Sequence, residues 1–210
     1  MYYFLYLFGP TIMIGIGLQL FESVGLTIFL FYGWLFLMLL INRKSLKVNQ
    51  PNWKNSALVG FGIGVVFFLS LFMGIKWLHP FLFNVEELRA ILRQWGFTGN
   101  ERLVYIGILL VINPVLEEVY WRASLHQKFR KNLGTHQTIY TTSFFYTLYH
   151  ILVVLPLFQW PLSIFAVIPV FFAGVVWGYL SENSNSIIGP IISHFLADVG
   201  IMSVYWFILR

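Results

Sequence analysis

Seven apolar runs follow one another along the chain, parted by short polar stretches. They fall at about 2–21, 24–41, 56–78, 103–129, 137–157, 162–180 and 187–209. Each has the roughly 20 residues an α-helix needs to cross the hydrocarbon core of a bilayer. The polar stretch after the third run holds VEELRAILRQWG, in which Glu86, Glu87, Arg89 and Arg93 alternate with Leu88, Ile91 and Leu92. That spacing predicts a short amphipathic helix, ended by Gly96. The expected fold is all-α: one polytopic transmembrane bundle of about seven or eight helices. Residues 1–102 would supply the N-terminal spans, with an interfacial segment near 80–102, and residues 103–210 the core that bears the chemistry.

Composition agrees with the pattern. Of 210 residues, 59% are hydrophobic and only 10% are charged, against about 25% charged in soluble domains. The mean hydropathy is +0.77. With no cysteine, disulfides, thiolate metal ligands and a cysteine nucleophile are excluded. The segment after Met1, YYFLYLF, lacks the charged region and cleavage site of a removable leader and is expected as the first span. The net charge of +5 gathers in short loops, which points to topology and lipid headgroups, not to nucleic acid. Arg43, Lys44, Lys47 and Lys54 cluster after the second run, and Lys128, Arg130 and Lys131 after the fourth. With these spans both clusters share one face, cytoplasmic by the positive-inside rule, with the N-terminus inside and Arg210 outside. The short chain fits a bacterial plasma membrane. Gly60, Gly62, Gly64, Gly174 and Gly178 are expected to let helices approach closely.

Charges at membrane depth are costly and mark functional sites by default. Three later runs carry them: EEVYWR at 117–122, YTLYH at 146–150 and HFLAD at 194–198. Glu117 stands thirteen residues before Arg130, and His150 thirteen after Gln137. On antiparallel neighbours both lie roughly 20 Å in at 1.5 Å per residue. The same count puts His194 about 10 Å in. Glu118 and Arg122 are i,i+4 and are expected to pair. Glu117, turned about 100° away, is freer to face another helix. There a carboxylate opposite an imidazole can take a proton from water, with His150 holding the same water. Asp198, i,i+4 from His194, is expected to fix that ring and leave its other nitrogen for a developing oxyanion. His79, His126 and His136 are placed near interfaces and given no chemistry.

These three runs, in this order, resemble the CPBP family: type II CAAX prenyl endopeptidases and bacteriocin-processing or self-immunity enzymes, also called Abi proteins. The family's pattern is EExxxR, FxxxH and HxxxN or HxxxD. Glu117, Glu118 and Arg122 complete the first. Tyr146 stands where phenylalanine is usual, with His150 in place, and His194 and Asp198 form the third. The resemblance covers about residue 103 to residue 210. It implies an intramembrane endopeptidase with its site open to the cytoplasm, acting on a peptide or lipidated protein such as a prenylated CAAX chain, among membrane lipids. Carried over, Glu117 and His150 would activate water, His194 and Asp198 would stabilise the oxyanion, and Glu118, Arg122 and Tyr146 would support the site. Two departures matter. Tyr146 brings a hydroxyl that must find a partner. Asp198 when ionised accepts only, so it orients His194 more readily than it donates to an oxyanion.

HExxH is absent. A glutamate and two histidines on separate helices, Glu117, His150 and His194, could still hold zinc with water in the fourth position. The expectation is metal-free glutamate chemistry without a cofactor. Intramembrane Glu, His and Asp also build proton relays, so a proton-coupled transporter is the competing class, although no internal repeat is visible. A non-catalytic immunity or scaffold protein is the third.

Overall fold

The computed structural model describes residues 2–43, 46 and 50–210. Of the first basic cluster, Lys44 and Lys47 lie outside the described residues. The architecture is a bundle of helices, and the described residues contain no strand. Helix α1 runs Tyr2–Ile14 and continues through wide turns over Gly15–Leu20; α2 is Val24–Ile41 and α3 is Trp53–Leu82. Helix α4 is the short Val85–Gln94. Helix α5 spans Glu101–Leu133, α6 is Thr135–Val154, α7 is Leu162–Ser184, and α8 is Ile188–Val204 extended by Tyr205–Leu209. Six of these, all but α4 and α6, are long and apolar enough to cross a membrane.

Helix α6 has the length, 20 residues or about 30 Å, but is rich in hydroxyls. Two of these hydroxyls are satisfied by the helix's own carbonyls, whereas Thr138 Oγ1, Ser143 Oγ and Tyr149 Oη are buried without a partner. Thr142 Oγ1 donates to Thr138 O at 2.8 Å and Thr147 Oγ1 to Ser143 O at 2.8 Å. It packs against α7 and α1. Gly174 and Gly178 of α7 lie against Ser143 and Ile139, the close approach expected of small residues.

The amphipathic helix forms as its pattern predicts. Asn84 Oδ1 accepts from the N–H groups of Glu86 and Glu87 at 2.9 and 3.3 Å, an N-cap with two acids in the first turn. Leu88 is buried while Glu86 and Glu87 are exposed. Gly96, at φ +78°, stops it where a side chain would be strained. At the other end of the bundle Lys128 donates to Asn42 Oδ1. The end of α2 and the end of α5 therefore meet, which brings the described parts of the two basic clusters to one end. Gly134, at φ +74°, reverses the chain between α5 and α6 and makes them an antiparallel hairpin.

The most extensive helix contact is α3 with α8. It closes at Gly60 and Gly189, where a Cβ on either would overlap the backbone of the other helix. Ser56 Oγ accepts from Gly189 N at 3.0 Å beside it. A Gly60→Val substitution is therefore expected to destabilise the protein by about 1–3 kcal/mol, the cost of overpacking a filled contact. Gly62→Val, which meets nothing within 4 Å, should leave the unfolding midpoint in detergent unchanged. Equal midpoints for the two variants would contradict this packing.

Candidate active site

Wide helical turns over Ile108–Ile112 and Val119–His126 bracket the segment Asn113–Glu118 in α5. Pro114 contributes to the first, because it has no N–H to continue the regular ladder. Such turns reorient side chains and are frequent at functional sites. Asn113, Glu117, Glu118 and Arg122 are all buried, and they face α8.

Glu118 is the most heavily engaged of them. Arg122 Nη1 donates to its Oε1 at 3.0 Å, forming the expected i,i+4 pair. Arg122 Nη2 donates to Gly174 O of α7 at 3.0 Å. The guanidinium also lies over the rings of Tyr146 and Trp177, at 5.1 and 5.6 Å. The same Glu118 Oε1 accepts from His194 Nδ1 at 3.1 Å. Glu118, not Asp198, thus makes the hydrogen bond that sets the His194 ring. Asp198 Oδ2 is 3.6 Å from His194 Nε2 and accepts instead from Asn113 Nδ2 at 3.2 Å. Trp177 completes the seat of His194, stacking on it at 4.3 Å between ring centres.

Glu117 contrasts with its neighbour. It is only 2% exposed, and its Oε2 has no hydrogen-bond partner. His194 Nε2 stands 3.8 Å from that oxygen. His150 donates from Nδ1 to Tyr146 O at 2.8 Å. With its proton on Nδ1, the neutral ring keeps a lone pair on Nε2. The Tyr146 ring packs between the two histidines, 4.6 Å from His150 and 6.2 Å from His194. Glu117, Glu118, Arg122, Tyr146, His150, His194 and Asp198 are thereby brought into one neighbourhood.

Helix counting placed His194 some 10 Å too shallow. The cause lies at the end of α7. Glu182 reaches back to Arg130 at 2.6 Å and to His126 at 3.3 Å, and Asn185, left-handed at φ +49°, then turns the chain. Helix α8 begins after this excursion, at Ile188. His126, expected near an interface, is buried in the same contact.

Three participants were not singled out in the sequence. Asn113 joins Asp198 to His194, lying 3.4 Å from His194 Nε2, and accepts from Tyr32 Oη of α2 at 2.9 Å. Its signal was present: an asparagine in an apolar run, one helical turn before Glu117. Trp177 and Tyr149 carried no such signal, being aromatic residues among many. Tyr149 stacks on Trp121, and its hydroxyl, like Glu117 Oε2, is buried without a partner.

The site is more closed than expected. The two grooves resolved on the bundle lie elsewhere, one between α6 and α7 along Phe144–Phe171 and one at the far end of α8. His150 and Asp198 are the partly exposed ionisable members of the cluster. Among the described residues no group of three or more His, Asp and Glu side chains is placed to hold a metal ion. Zinc in a tetrahedral site would need its donors each about 2.0–2.1 Å from the ion. The Glu117–His194 spacing and the tethered His150 do not supply that, so no step below passes through a metal.

Comparison with known proteins bears on this arrangement directly. The model of the type II CAAX prenyl endopeptidases of the Rce1-like kind matches residues 99–200, from just before α5 into α8. Residues 99–200, just under half of the chain, are thus similar to the Rce1-like family. No curated protein and no solved structure matches the chain. The Rce1-like segment holds every ionisable residue of the cluster, and with six helices long and apolar enough to cross a membrane the similarity supports an integral membrane protein related to intramembrane endopeptidases.

Because Glu118 and Arg122 are almost wholly buried, Arg122→Met should cost about 3–5 kcal/mol of stability by stranding the carboxylate. The double variant Glu118→Gln, Arg122→Met should recover part of that loss. Chemical unfolding in detergent micelles checks both, and an unchanged midpoint for Arg122→Met would show the pair to be energetically idle.

Proposed function

We propose that this Rce1-like protein is an active intramembrane endopeptidase in which Glu117 is the general base. One observation carries the reading: of two adjacent buried glutamates, Glu118 accepts from Arg122 and His194 through its Oε1, while Glu117 has no such hydrogen bond and its unpartnered Oε2 stands 3.8 Å from a histidine nitrogen. A buried carboxylate oxygen without a partner is costly to keep unless it has work to do.

In the proposed reaction a water between Glu117 and His150 Nε2 attacks the scissile carbonyl carbon. Glu117 takes the proton, worth about 10²–10⁴ in rate for a positioned base. The carbonyl oxygen becomes an oxyanion, which His194 stabilises from Nε2–H while Nδ1–H stays on Glu118. When the C–N bond breaks, Glu117 returns the proton to the leaving amine. Asp198 and Asn113 act as positioning residues for His194. Asn113 offers Nδ2 to Asp198 and is itself held by Tyr32, so it fixes an acceptor-only carboxylate beside the ring. Tyr146 separates the two histidines and seats the Arg122 guanidinium. The metal-free form is proposed because the ligand set is not assembled. The basic ends of α2 and α5 are proposed to face the cytoplasm, and the host membrane is proposed to be bacterial.

The substrate class proposed is a membrane-bound protein or peptide, with a prenylated CAAX chain as the first to assay. Glu117→Gln should lower cleavage of a fluorogenic farnesylated CAAX peptide by at least about a hundredfold at an unchanged unfolding midpoint. Profiling of new peptide termini in membranes carrying wild-type or Glu117→Gln protein extends the test to unknown substrates; identical profiles would refute catalysis. Asn113→Ala should reduce kcat by about tenfold while leaving KM in place, as expected for a group acting in the transition state. A strong zinc chelator should leave the rate as it was; loss restored by added zinc would overturn the metal-free mechanism.

A further inference from the structure

At the end of the bundle away from Lys54 and Lys128, α4 lies against the end of α8, and the crevice they form with the start of α5 is lined with arginine. Arg89, Arg93, Arg102 and Arg210 all border this groove of about 400 Å³. A single carboxylate side chain, Glu86, shares the lining. It is already paired with Arg89 Nη1 at 2.7 Å. Arg89 is further occupied by main-chain oxygens, donating from Nε to Leu209 O at 2.9 Å and from Nη2 to Arg210 O at 3.2 Å. The Arg210 guanidinium rests over Trp206 at 3.9 Å. Arg93 and Arg102 have no ion-pair partner among the described residues, and Arg102 Nε is buried without a hydrogen bond.

Four guanidinium groups outnumber the Glu86 side chain and the main-chain carboxylate of Arg210, both engaged by Arg89, which leaves the cleft positive, and guanidinium donors match phosphate oxygens in fork geometry. We propose that this groove binds a phosphate group, and that its occupant is the headgroup of an anionic phospholipid. Two features favour a lipid over free phosphate. The groove sits at the ends of membrane-spanning helices, where headgroups are. Its remaining wall is apolar, with Leu92, Phe97 and Leu209 beside the arginines, a surface an acyl chain can follow downward. Each arginine near a charged membrane surface contributes about 1 kcal/mol, or about fivefold in binding.

The experiment is native mass spectrometry of the full chain in detergent, offered phosphatidylglycerol or phosphatidylcholine. Wild-type protein is expected to retain phosphatidylglycerol several-fold better. Arg93→Gln, at an exposed position, should reduce that retention about fivefold, and Arg93→Gln with Arg102→Gln about thirtyfold. Arg43→Gln, at the other end, should have no effect. Equal retention of the two lipids, or retention unaffected by Arg93→Gln, would overturn the proposal. If the double variant does not fold, Arg93→Gln alone decides. A parallel thermal-shift titration with inorganic phosphate distinguishes the source: no shift is expected at millimolar phosphate. A shift abolished by Arg93→Gln would assign the groove to a soluble phosphate and overturn the lipid assignment.

Discussion

One oxygen atom, Glu118 Oε1, takes hydrogen bonds from both Arg122 and His194. Through Arg122 Nη2 and Gly174 O the same knot reaches α7, and Trp177 of that helix stacks on His194. Three helices are therefore registered against one another by a carboxylate in a place where carboxylates are expensive. Polar atoms in hydrocarbon are tolerated only in networks whose members satisfy each other. This network sets the rotation of α5, and with it the direction of every side chain a turn away.

That rotation separates the fates of two adjacent glutamates. Glu118 is spent on structure through its Oε1, which takes the donors of Arg122 and His194. Glu117, one residue earlier, receives neither. In the proposed mechanism the general base is the carboxylate left out of the network that its neighbour joins. The aromatic residues around it, Tyr146, Tyr149, Trp121 and Trp177, are buried and exclude solvent from a place where electrostatic interactions gain strength as water is removed.

Much of this was legible along the chain. The apolar runs located the helices, and the equal lengths from Glu117 to Arg130 and from Gln137 to His150 put Glu117 and His150 at one level on an antiparallel pair. The i,i+4 rule found the Glu118–Arg122 pair because both residues belong to one helix. It also placed His194 and Asp198 side by side, 3.6 Å apart, but not the hydrogen bonds of the ring and the carboxylate, which are decided between helices by Glu118 and Asn113. Asn113 was hidden by its neutrality, since a search for charges at depth passes over an amide. Trp177 was hidden among eight tryptophans, none distinguished by spacing. The hydroxyl-rich α6 shows the opposite case, in which a sequence too polar for an ordinary span still forms a full-length helix, with Thr142 and Thr147 bonding back to its own carbonyls.

Helix α8 is fastened twice. Near its start Gly189 is pressed against Gly60 and tied to Ser56; at its finish Arg89 grips its last carbonyls. A rod held at both ends cannot slide along its neighbours, so the imidazole and carboxylate it bears form the stationary keel of the molecule.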